Sequence, residues 1–207
     1  MKPSPSKDRP VLEAVLESSE VVADTLMKGD LIAEIPVIGT AFKICKAADS
    51  IRERAFAAKL AAFISGVDSV DESTKEKMRE RVKASPEEAK RIGETLFFVL
   101  ERVTDFDKPA ILSKLFLAYI DNVISGQDLR RMAQAIDAAF SDDLQKFIKV
   151  KALPKKAESG WMQHLVSSGL TCAVAGKTID EAGLLYYEAT TLGNKFRTAY
   201  LRKGSHG

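Results

Sequence analysis

Few residues in this chain could do chemistry. Two histidines, His164 and His206, are the whole supply of side chains that titrate near neutral pH. His206 falls in a Gly-rich tail. His164 falls beside Trp161 and Leu165 in an amphipathic stretch, where a partly buried histidine satisfied by a backbone carbonyl is expected. The two cysteines, Cys45 and Cys172, lie far apart with no partner at metal or redox spacing, and read as small core residues. A Cys172, His164 nucleophilic pair would need a third group to orient the base, and the sequence points to none.

Carboxylates adjoin at Asp71-Glu72, Glu87-Glu88 and Asp142-Asp143. Each pair sits at an expected helix start, where negative charge complements the helix dipole. Neighbours on a helix also point about 100° apart, so such pairs do not converge on one ion. The segment from Asp121 to Leu129 copies the second half of an EF-hand loop. With Asp128 at the bidentate position, Leu117 and Tyr119 fall where the first oxygen ligands belong, and calcium would lose half its shell. The segment reads instead as a helix junction held by a capping box from Ser125 to Asp128. It resembles the turn of tellurite-resistance-B-like helical domains over about 25 residues, with Asn122 in place of Gly and Asp128 in place of Glu. No catalytic residue, metal or cofactor emerges, and an enzyme is not expected.

The elements that would position any site are helices. Apolar residues are 45% and charged residues 29% of the 207, ordinary values for a globular chain. Start signals at Asp71, Ser85-Pro86, Asp107, Ser125 and Ser141, with apolar residues three and four apart, predict helices near 11–28, 40–65, 71–84, 87–104, 109–123, 126–140 and 142–151. The pattern changes after Pro154. A short helix from Trp161 is then expected, with strands at Thr171 to Val174 and Leu184 to Glu188 and a last helix capped by Thr190. The expected fold is therefore mainly α: residues 1–10 disordered, a multi-helix bundle over 11–151, and a small winged-helix-like unit over 158–203. No run of about 18 apolar residues and no secretory h-region occurs, so a cytoplasmic protein is expected.

Net charge is +2, unevenly placed. Residues 151–207 hold eight Lys/Arg against four acids, leaving 23 against 25 in the first 150. That imbalance points to an acidic partner for the C-terminal part. Lys155, Lys156, Lys177 and Arg197 are the candidate nucleic-acid contacts, although the helix expected at Trp161 to Ser168 has no Lys or Arg to read a major groove. Ile35, Val37, Ile38 and Phe42 form an apolar patch shaped by Pro36 and Gly39. Core or partner packing suits it better than a membrane surface, because cations around it are sparse and acids many.

Two resemblances follow from these residues. The Leu185-Tyr186-Tyr187 run with Thr190, Leu192 and Gly193 resembles the wing strand and following helix of winged-helix regulators. The segments Ile35-Pro36-Val37-Ile38-Gly39-Thr40 and Ser50-Ile51-Arg52-Glu53-Arg54 are similar to those of a group of uncharacterised bacterial helical proteins, some of them linked to defence genes. The second resemblance implies a bacterial origin and no activity. Together they favour a non-enzymatic protein-interaction or regulatory module with a protein partner or a second copy of itself. The alternatives are a nucleic-acid-binding regulator and a membrane-surface effector.

Overall fold

The computed structural model describes residues 35–40, 50–68, 70–153, 160–176 and 183–202. Expectations for residues 1–34, Phe42, Cys45, Lys155, Lys156, Lys177 and His206 lie outside them. The described helices are α1 (Ile51–Asp68), α2 (Glu72–Ala84), α3 (Pro86–Arg102), α4 (Lys108–Ile120), α5 (Gly126–Ala138), α6 (Ser141–Lys149) and the one-turn α7 (Gly160–His164). An antiparallel hairpin follows, β1 (Thr171–Ala175) and β2 (Leu185–Ala189), with Thr171 opposite Ala189 and Ala175 opposite Leu185. Helix α8 (Thr191–Leu201) closes the described chain.

Cap chemistry fixes most boundaries. Asp71 accepts the Thr74 amide at 2.9 Å, Ser125 and Asp128 form the expected reciprocal box, and Thr190 accepts the Gly193 amide at 3.0 Å. Helix α4 ends in a Schellman turn, with the Val123 amide on the Ala118 carbonyl and the Asn122 amide on that of Tyr119. Asn122 takes the left-handed position of that turn (φ 58°), where short polar side chains replace glycine at least cost.

Other boundaries differ from the sequence reading. A helix starts afresh at Ile51 within the expected 40–65 span, because Ser50 and Glu53 cap one another, amide to side chain in both directions. Ser85 makes no side-chain cap: its amide ends α2 on the Arg81 carbonyl, and the backbone this requires turns it away from the start of α3. Pro86 and the two glutamates after it carry that start instead. Asp107 is already helical in backbone and caps nothing, and Phe140, not Ser141, precedes the first turn of α6.

One hydrophobic cluster runs through the whole described chain. Leu60, Phe63 and Phe116 of the helical part and Leu165, Leu170 and Phe196 of the C-terminal end belong to it. Helix α4, buried on nearly every side, is its axis, packed by α1, α5 and α8. Phe63 and Phe116 meet edge to face at 5.7 Å on that axis.

A second regularity concerns helix ends. The last carbonyls of a helix lack intrahelical donors and carry partial negative charge. In four helices a cation from elsewhere supplies the donors. Lys59 reaches the Glu101 and Val103 carbonyls at the end of α3, both at 2.9 Å, and Lys108 reaches the Ala139 carbonyl after α5 at 2.8 Å. Arg81 donates to the Tyr119 carbonyl of α4 at 2.8 Å, and Arg197 donates to the Phe147 and Val150 carbonyls of α6. Burial pulls the Lys59 ammonium and the Arg197 guanidinium below their usual pKa ranges.

Candidate functional site

Arg197 is 9% exposed and packed over the Phe147 ring, with its guanidinium turned into the protein. This corrects its assignment as a nucleic-acid contact: the side chain caps α6 and cannot reach a phosphate. Two further cations of the C-terminal surplus are also engaged within the chain. Arg202 pairs with Asp121, and Lys195 lies 3.2 Å from an Asp128 carboxylate oxygen. For Ile35 and Ile38 the core reading holds and the interaction-patch reading is corrected. Ile35 (2% exposed) and Ile38 (0%) belong to the core, and the Pro36 carbonyl sits so close to α3 that a Cβ on Gly93 would fall 2.0 Å from it. Val37 is half-buried in a left-handed turn (φ 74°).

Lys195 and the capping box also set a pH dependence. Burial raises the pKa of Asp128, but hydrogen bonds from Lys195 and Ser125 outweigh it and leave the carboxyl below its usual range. A depressed carboxyl stabilises the fold fully above its unfolded pKa of about 4, and that contribution is lost as pH falls through the lower folded value. Asp128→Asn is therefore expected to lower the urea midpoint at pH 7, with the difference from the parent shrinking towards pH 3. A difference independent of pH would remove the electrostatic account.

His164 is exposed, and its partner is a carboxylate where a backbone carbonyl was expected: Nδ1 lies 2.9 Å from Asp143 Oδ2. The orienting group that the sequence did not indicate thus exists. A base so held still needs a nucleophile or substrate at its other nitrogen. Among the described residues Nε2 makes no hydrogen bond, and the nearby Ser167 hydroxyl donates to the His164 carbonyl. Cys172 is half-buried on β1. Among the described residues no group of three or more His, Cys, Asp or Glu side chains is placed to hold a metal ion.

Among the described residues, α3 and α5 border an open surface groove. The Glu88 side chain lies against Gly126 at one end and Arg102 pairs with Asp137 at 3.0 Å at the other, so the two helices run parallel. Between them is a groove of about 420 Å³, within the range of ligand-sized clefts. Helical spacing places Arg91, Thr95, Phe98 and Arg102 on one stripe of α3, facing Arg130, Gln134 and Asp137 on α5. Val99 is its buried apolar floor. The Thr95 hydroxyl is already satisfied by the Arg91 carbonyl at 2.8 Å.

Phe98 is 56% exposed in this groove, with its ring edge to face against Phe97 at 5.4 Å, and Phe97 packs in turn on Phe56. Among the described residues the guanidinium groups of Arg91 and Arg130 make no ion pair or hydrogen bond. Aromatic rings and arginines are the side chains most often found to carry binding energy at interfaces. The sequence held one signal for this site: Phe98 is out of phase with the stripe of Ile92, Leu96, Val99 and Val103 that α3 buries. Comparison adds no assignment, since no family model, curated protein or solved structure matches the chain.

Proposed function

We propose that the protein is a non-enzymatic interaction module that docks a protein partner in the groove between α3 and α5. The observation that carries this reading is Phe98, an aromatic ring left 56% exposed beside two arginines that find no partner among the described residues. Truncating such a side chain removes its exposed surface from any complex at the cost of one internal contact, the edge-to-face pair with Phe97, so affinity should fall far more than stability. The C-terminal end reads as winged-helix-like, supported by its order of short helix, hairpin and capped helix. Its part is to brace α4 and α6 through α8. As a DNA reader it is poorly equipped: α7 has five residues, about 7.5 Å of helix, and no Lys or Arg. Among the described residues no helix is long and apolar enough to cross a membrane.

The test is a paired pull-down from nuclease-treated native lysate with the tagged parent and Phe98→Ser. A stoichiometric protein retained by the parent and reduced at least tenfold by Phe98→Ser, with the thermal midpoint lowered by no more than about 5 °C, is the expected result. Recovery of nucleic acid that the nuclease abolishes, or equal retention by both proteins, would count against the groove.

A further inference from the structure

We infer that the groove takes a short acidic peptide segment, with a carboxylate held at the Arg91 and Arg130 end and a large apolar side chain on Phe98 and Val99. This inference rests on the docking role proposed above and specifies the chemistry of the partner.

The groove is polarised. At its far end Arg102 is neutralised by Asp137 at 3.0 Å, so it offers little to a further anion. At its near end Arg91 of α3 and Arg130 of α5 both line the groove, with no internal partner among the described residues. Planar guanidinium groups bind carboxylates through paired N–H donors, so this end selects Asp, Glu or a chain terminus. Phe98 and Val99 supply the apolar centre.

Spacing then sets the register. Arg91 and Phe98 are seven helical residues apart, about 10.5 Å along the axis at the usual rise. An extended peptide advances about 3.3 Å per residue, so the carboxylate and the apolar side chain should lie about three positions apart in the ligand. Charge balance separates a peptide from a nucleic acid. Glu94 lines the groove and Glu88 stands at its mouth, so with Asp137 these acids balance the three arginines and the groove as a whole carries no surplus charge. One or two carboxylates fit the two guanidinium groups left without a partner, whereas a continuous phosphate backbone would also meet these acids.

The experiment pans a displayed library of random heptapeptides on the full chain, with parallel panning on Arg130→Gln and Phe98→Ala and with a single-stranded DNA 12-mer as competitor. The expected result is enrichment of Asp or Glu three positions from an aromatic or branched residue, falling at least tenfold on either variant and unaffected by the DNA. Enrichment of apolar peptides without acids, equal enrichment on Arg130→Gln, displacement by the DNA, or no enrichment would each overturn the inference. If the lysate partner is still lost with Phe98→Ser while acidic peptides fail, the groove docks proteins of another chemistry. If both fail, the docking role itself falls.

Discussion

Replacing Arg197 with Met is expected to destabilise the protein by about 2–4 kcal/mol while leaving any nucleic-acid affinity unchanged. The guanidinium is the donor for the carbonyls of Phe147 and Val150 where α6 ends, in a site 9% exposed. Methionine fills much of the volume but donates nothing, and each buried acceptor left unpaired costs about 1–3 kcal/mol. For a chain of this size every kcal/mol lowers the thermal midpoint by about 2–4 °C, so a fall of roughly 5–15 °C should be measured by circular dichroism. Lysine at 197 should recover only part of the loss, because one ammonium cannot reproduce the two-armed geometry. A stable Arg197→Met protein with weakened DNA binding would restore the contact role that burial argues against.

Gly193→Ala should be the second most damaging change. A Cβ there would stand 2.1 Å from the Leu170 carbonyl oxygen and 3.1 Å from Phe147 Cζ. That oxygen is fixed, since it accepts the Thr190 amide at 3.0 Å and the Thr190 hydroxyl at 3.3 Å. Helix α8 would have to move away, pulling on Phe196 in the core and on the Arg197 cap together. Overpacking of this kind costs about 1–3 kcal/mol, and rigid backbone on one side places the change at the upper end. Urea unfolding is expected to show the loss with an unchanged slope. A midpoint within error of the parent would mean that α8 is held more loosely than its contacts indicate.

Much of the frame was legible because local chemistry sets it. Thr190, Ser125 with Asp128, and Asp71 cap as their types predict, and the hairpin falls within a residue of its expected ends. Ser50-Ile51-Arg52-Glu53 carries the same box pattern, but the apolar run around it hid the helix start at Ile51. The site was less legible for a physical reason. A lysine or arginine has a long apolar stem, so sequence does not say whether its charge goes outward to a phosphate or inward to a helix end. Lys59, in step with Phe56 and Phe63, and Arg197, in step with Gly193, go inward. The groove joins residues on two helices separated in sequence by α4, and only tertiary packing sets Arg91 beside Arg130.

The same division applies to three cations of the C-terminal surplus. Lys195, Arg197 and Arg202 hold α8 to α5, α6 and the turn after α4. Arg91 and Arg130, which have no partner among the described residues, lie instead on α3 and α5, in the part of the chain whose net charge is slightly negative.

The most direct measurement is photo-crosslinking in cells with a benzophenone amino acid at position 98, compared with the same probe at Thr198, an exposed position on α8. The account predicts a discrete protein adduct from position 98 that is absent from position 198 and is lost when Arg130→Glu is added. No adduct from position 98, or the same adducts from both positions, would contradict the groove as the working surface of this protein.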